Sequence, residues 1–111
     1  MTNIEKQTRF AQLISQHILW LIEQGYQVSL GDAYRDPRMY GRYGTKQGYS
    51  AANSYHKLRL AIDLNLFRDR VYLMRTEDHK ESGKHWESLD AMCTWGGRWN
   101  DGNHYSFGEG K

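Results

Sequence analysis

The sequence predicts an α+β fold in which an N-terminal helix packs on a small antiparallel sheet. Three observations carry that expectation. Phe10, Leu13, Ile14, His17, Ile18, Leu21 and Ile22 recur at helical spacing near the N-terminus. Ile62, Leu64 and Leu66 alternate with Ala61, Asp63 and Asn65, the period of a strand with one face in a core. Arg68-Asp69-Arg70 reads as a tight turn and Val71-Tyr72-Leu73-Met74 as a returning strand, so residues 61–74 are expected to form a β-hairpin.

In chain order, Thr2-Asn3-Ile4-Glu5 has the spacing of a capping box and Gly25 is a natural stop, which bounds a helix at about residues 4–24. His17 lies on its apolar stripe, where a satisfied, partly buried histidine is expected rather than a ligand. Gln27-Val28-Ser29-Leu30 reads as a short strand, and Pro37 pushes Asp36 out of helical geometry. Residues 38–53, rich in Gly, Tyr and charge, read as a long ordered loop whose tyrosines either line a substrate groove or cover the edge of the core. Arg75 to Lys84 reads as a solvated linker, with His79 and His85 in or beside it. His85 to Cys93 reads as a short helix with Trp86, Leu89 and Met92 or Cys93 inward. Gly96-Gly97 marks a sharp turn before a last strand carrying His104.

Composition narrows the function classes. With 111 residues the chain is expected to be one domain, 1–111. A hydrophobic fraction of 39% and an aromatic fraction of 14% favour a folded protein over a disordered one. The longest apolar run, Ile18 to Ile22, is far below the roughly 20 residues that span a bilayer. No secretory leader is visible at the N-terminus. The lone Cys93 excludes an internal disulfide and reads as a small core residue, with no histidine placed to make it a nucleophile. A net charge of +2 is too mild to argue for nucleic acid.

An aspartate on an apolar strand calls for a partner, because an unpaired buried carboxylate is costly. His56, Asp63 and His104 would satisfy a catalytic zinc site, which takes three protein ligands and keeps one position open. Read from residues alone, the pattern leaves alternatives open. The histidines could be ordinary polar residues, Asp63 a hairpin-stabilising acid, Asp101 a turn former beside Gly102, and Arg35 a surface partner of Asp36 or Asp32.

The wording of the motifs goes further. Ser54-Tyr55-His56, then Leu60-Ala61-Ile62-Asp63-Leu64-Asn65-Leu66-Phe67, then Trp95-Gly96-Gly97-Arg98-Trp99 and Asp101-x-x-His104-Tyr105-x-Phe107 resemble the zinc D,D-carboxypeptidase and phage L-alanyl-D-glutamate endopeptidase family, to which the Hedgehog signalling domain is also similar. Tyr34-Arg35 stands where that family places its arginine. The resemblance runs from about Tyr34 to Phe107.

It implies one Zn2+ held by His56, Asp63 and His104 on the open face of the sheet, Asp101 as the catalytic acid, Arg35 steadying the substrate carbonyl or oxyanion, and Ser54 orienting the site from behind. It implies bacterial peptidoglycan as the partner and a phage endolysin or virion-associated peptidase, expected to be a monomer. Such a protein would be made in the host cytoplasm and reach the wall after holin release or within the virion. Two departures stand out. Leu60 replaces a glycine common in relatives, and Asp101 replaces the glutamate of many carboxypeptidases, which favours the endopeptidase branch. A D-alanyl-D-alanine carboxypeptidase and a non-catalytic zinc-containing binding module are the rival expectations.

Overall fold

The computed structural model describes residues 1–109. Helix α1 (Asn3–Glu23) begins where the capping box predicts: the Thr2 hydroxyl accepts from the Glu5 amide at 3.1 Å and the Glu5 carboxylate accepts from the Thr2 amide at 2.8 Å. It ends one residue before the expected limit. Gly25 takes φ +92°, and the amides of Gly25 and Tyr26 donate to the carbonyls of Ile22 and Leu21.

Four strands follow one another across the sheet in the order β1 (Gln27–Leu30), β2 (Ala61–Arg68), β5 (His104–Phe107), β4 (Cys93–Trp95), with β3 (Val71–Tyr72) also on β2. All pairs are antiparallel. The expected hairpin is present. Asp69 and Arg70 both adopt positive φ, as a two-residue turn matched to strand twist requires. Its returning strand is shorter than expected, ending at Tyr72, although Leu73 still donates to the Leu66 carbonyl at 2.9 Å.

The alternation read from β2 holds. Ile62, Leu64 and Leu66 enter the core, while Asp63 and Asn65 lie on the other face and are half-buried. On the core face, α1 contributes Phe10, Leu13, His17 and Leu21, and β5 contributes Tyr105 and Phe107. Trp86 closes this layer with an edge-on contact to Phe10 at 5.8 Å, and its indole N–H donates to the carbonyls of Thr94 and Ser106. Cys93 is buried there, as expected of a core residue.

Three local expectations need correction. Residues 38–53 are not loop throughout: Pro37–Tyr40 form one helical turn, α2, capped by the Asp36 carboxylate accepting from the Arg38 amide. The stretch read as a solvated linker folds as a 3-10 turn, Thr76–His79, leading directly into α3 (Lys80–Leu89). It carries few large apolar residues because its buried positions are His79, Ser82 and Gly83. A Cβ at Gly83 would overlap the Trp95 ring, so the helix needs glycine there to approach β4. The helix expected over 85–93 therefore starts five residues earlier and ends at Leu89, and Cys93 belongs to β4.

His17 is fully buried, more deeply than the sequence suggested. Its Nε2 meets the Ser82 hydroxyl at 3.0 Å and its Nδ1 meets His85 Nδ1 at 2.8 Å, with His85 stacked on Trp20. Burial, and then the neighbouring His85, lower the His17 pKa from 6.5 to about 3. The unfolded chain thus binds a proton that the folded chain refuses between those values, so stability is greatest above about 6.5 and declines as pH falls toward 3. We expect acidification from pH 7 to pH 4 to cost on the order of 3 kcal/mol through this residue. Urea midpoints across that range should fall steeply for the native chain and less steeply for His17→Gln. Parallel slopes would contradict the assignment.

Candidate active site

Asp63 and His104 are directly opposed residues of β2 and β5. Antiparallel register sets such pairs with their Cβ atoms roughly 5 Å apart on the same face. That face is the one turned away from α1. His56 arrives from a separate 3-10 turn, Tyr55–Leu58, capped by Ser54, whose hydroxyl accepts from the His56 amide at 3.3 Å. The turn ends at Arg59 in the left-handed region.

The strand extension Gly31–Arg35 ties these pieces together. Gly31 N–H donates to the Asp63 carbonyl and Asp63 N–H donates to the Asp32 carbonyl, both at 2.8 Å. Ala33 carbonyl lies 3.1 Å from His56 Nδ1, and Arg35 N–H donates to the His56 carbonyl at 3.3 Å. With Nδ1–H directed at a carbonyl, His56 keeps its lone pair on Nε2, facing Asp63 Oδ1 at 3.2 Å. His104 Nδ1 lies 3.8 Å from the same oxygen.

Ligand atoms of His56, Asp63 and His104 all fall within 4.8 Å of one another, so the group could hold a metal ion. A structural observation tests the fit. His56 Nε2 and Asp63 Oδ1 are buried without a hydrogen-bond partner among the described residues. Unsatisfied buried polar atoms are costly, and two of them converging on one point is the condition a cation relieves. Two nitrogens and a carboxylate oxygen suit a tetrahedral site with one open position. Burial alone would push the Asp63 carboxyl up, but polar contact with His104 and His56 and their charge outweigh it and hold the pKa at about 2. Asp63 is therefore ionised at neutral pH, as a ligand must be.

His56 and His104 border a cleft of about 260 Å³ lined also by Arg35, Ser54, Thr94, Trp99, Asp101 and Ser106, among others, and Asp63 lies behind the two histidines. Asp101 is half exposed, with Oδ2 at 3.9 Å from His104 Nδ1. Its loop is pinned by Asp101 N–H donating to the Gly96 carbonyl and His104 N–H donating to the Asp101 carbonyl. All six residues singled out in the sequence, Arg35, Ser54, His56, Asp63, Asp101 and His104, thus gather at one place.

The paired glycines now have a physical reason. A Cβ on Gly96 would overlap the Asp101 carbonyl oxygen and sit 2.7 Å from His104 Cβ, and one on Gly97 would overlap the Trp95 ring. The Trp95 indole N–H donates to the Gly102 carbonyl at 2.6 Å.

Other lining residues escaped the sequence reading. Trp99 packs edge-on against His104 at 5.7 Å. Thr94 and Ser106 are cross-strand partners one row along from Asp63 and His104. A strand period of two could have found Ser106 from His104, but Thr94 needed the β4–β5 register. The tyrosines of residues 38–53 do not line the cleft among the described residues. Tyr49 instead covers Arg35, with the guanidinium carbon 5.0 Å from the ring centroid.

A family model described as D-alanyl-D-alanine carboxypeptidase, of the M15 peptidases, matches residues 47–107. The chain belongs to the M15 peptidase family. The matched residues include Ser54, His56, Asp63, Asp101 and His104, while Arg35 precedes them. No curated protein matches the chain. Family membership makes the chain a metallopeptidase-type hydrolase whose implied substrates are peptidoglycan peptides, and no helix among the described residues is long and apolar enough to cross a membrane.

The tight packing behind the site makes a prediction. Gly96→Ala must displace the Asp101 carbonyl or the His104 strand, at a stability cost of roughly 1–3 kcal/mol. Zinc content after loading and dialysis should drop in this variant, and drop as well in His56→Ala, Asp63→Asn and His104→Ala. Full zinc retention by Gly96→Ala would show that the glycine is not needed to set the third ligand.

Proposed function

We propose that the chain is a zinc-dependent peptidase that cuts peptidoglycan stem peptides at the L-alanyl–D-glutamyl bond, as phage lysis or virion-associated enzymes do. The observation that carries this reading is the convergence of the His56, Asp63 and His104 ligand atoms at the wall of a cleft that also holds an acid and an arginine. A bound zinc supplies a water of lowered pKa, and so a nucleophile at neutral pH.

Each remaining role falls to a residue of the chain. Asp101, close to the His104 ring and open to the cleft, is suited to accept the proton of the attacking water at a carboxylate oxygen and to deliver it to the leaving amine. Arg35 carries a fixed positive charge into the same cleft, where it would stabilise negative charge developing on the carbonyl oxygen. Ser54 accepts from the His56 amide and from Arg35 Nη1 at 3.2 Å, so one hydroxyl ties a ligand turn to the arginine. Aspartate at position 101, where carboxypeptidase relatives commonly have glutamate, supports the endopeptidase reading.

The family description favours a second reading, release of terminal D-alanine. Mass spectrometry of muropeptides digested by the zinc-loaded protein separates them. Cleavage between L-alanine and D-glutamate supports the endopeptidase, and loss of only terminal D-alanine overturns it in favour of the carboxypeptidase. Asp101→Asn should lower kcat by about 100-fold or more while leaving zinc content unchanged. Wild-type protein that binds zinc but cleaves no muropeptide, with Asp101→Asn indistinguishable from it, would leave a zinc-containing binding module.

A further inference from the structure

Arg35 is held by more of the chain than a surface arginine needs. Its side chain is only 14% exposed. Nη1 donates to the hydroxyls of Ser50 and Ser54, both at 3.2 Å, and Ser50 is itself fully buried. Nε is buried and points toward Asp32 Oδ2 at 3.6 Å. That same carboxylate oxygen accepts a short 2.5 Å hydrogen bond from the Tyr49 hydroxyl, while the Tyr49 ring lies against the guanidinium. A guanidinium has five N–H groups in a rigid plane. Nη1 carries these hydrogen bonds and Nε faces the Asp32 carboxylate as an ion pair, which leaves Nη2 for a substrate in the cleft that Arg35 lines.

We propose that Asp32 and Tyr49 are positioning residues for hydrolysis: together they clamp the Arg35 guanidinium so that Nη2 is presented to the substrate in the cleft. The inference rests on the peptidase reading above, and it extends the working site beyond the ligands and Asp101 to the loop that precedes Ser54.

An arginine free to turn about its long stem spreads its charge over many rotamers and pays their entropy when substrate binds. Asp32 fixes one edge of the plane, the two serine hydroxyls fix a second, and Tyr49 covers a face. Tyr49 stacks edge-on against Tyr40 of α2 at 4.9 Å, and Lys57 Nζ donates to the Thr45 carbonyl at 2.6 Å, so the loop is itself fastened at both ends. Asp32 also has a backbone role, since its carbonyl accepts from Asp63 N–H. The segment that seats a ligand strand is thereby the segment that aims the arginine. Tyr49 is 64% exposed and its hydroxyl donates to Asp32 on the surface loop, so its removal leaves the core untouched.

Two measurements test the clamp. The first is kinetic, on the zinc-loaded full chain with the muropeptide it cleaves. Tyr49→Phe deletes only the hydroxyl and Asp32→Asn only the charge. Each should lower kcat/KM by roughly 5- to 10-fold, the size of one hydrogen bond in a charged network, with zinc content and thermal midpoint unchanged for Tyr49→Phe. In an Arg35→Ala background the Tyr49→Phe change should have no further effect. The second measurement does not depend on turnover. In 15N NMR spectra, Arg35 Nε–H should give a resolved signal with slowed exchange that is lost in Tyr49→Phe.

If the native chain hydrolyses nothing, the peptidase reading fails, and the NMR signal still reports whether the clamp exists. If the chain is active but Tyr49→Phe equals wild type, or its effect adds in full to that of Arg35→Ala, the positioning role is wrong. Should Asp32→Asn lose its fold, Tyr49→Phe alone decides the matter.

Discussion

The pairing of Asp63 with His104 across β2 and β5 is the constraint on which the site depends. Because strand side chains alternate with a period of two, a slip of one residue on either strand would send one member of the pair into the core and an apolar residue into the cleft. The register is held from the core side. Ile62 pairs with Tyr105, and Leu64, Leu66, Tyr105 and Phe107 are almost wholly buried under α1 and α3. Hydrophobic burial on one face of the sheet therefore aligns two candidate ligands, Asp63 and His104, on the other. The same packing that stabilises the fold specifies the site, and no separate device is needed to bring these two side chains together.

The third candidate ligand, His56, and Asp101 come from irregular segments, and each is fastened by close backbone contacts. His56 sits on a short turn whose position is fixed by Ser54 within it and by the Gly31–Arg35 extension beside it. Asp101 sits on a loop that Gly96 and Trp95 hold at close range. These segments carry polar groups that would be unsatisfied if buried without partners, and nearly all of the partners are backbone carbonyls and amides. The unsatisfied atoms that remain include His56 Nε2 and Asp63 Oδ1, where a metal fits, and Arg35 Nε, which faces Asp32. Unsatisfied polarity thus concentrates at the working face, where a cation and a substrate can use it.

Much of this was legible in the sequence. The capping box and Gly25 bound α1, the alternation of β2 gave its buried face, and the motif residues His56, Asp63 and His104 come within reach of one ion, with Asp101 beside His104. The failures share a cause. The segment from Arg75 to Lys84 looked like a linker because its buried positions are His79, Ser82 and Gly83, and such small or polar residues leave no hydrophobic period to detect. For the loop tyrosines the sequence left open groove lining or cover of the core edge, and Tyr49 instead lies over Arg35. His17 fell on a stripe correctly read as apolar, yet its partners Ser82 and His85 lie more than sixty residues away.

By itself the sequence determined which residues could carry the chemistry and which local conformations they occupy, because caps, turns and side-chain alternation depend on neighbours a few positions apart. Only the tertiary structure decided what those residues meet. The acceptor for His56 Nδ1 is the Ala33 carbonyl, a backbone atom that any amino acid would supply, so no side-chain pattern could announce it. The partners of Arg35 are spread from Asp32 to Ser54, and they converge because an extension of β1 and a loop return to the same edge of the cleft. Long-range register and backbone hydrogen bonding made those choices, and they turn a set of plausible ligands into a site with a direction.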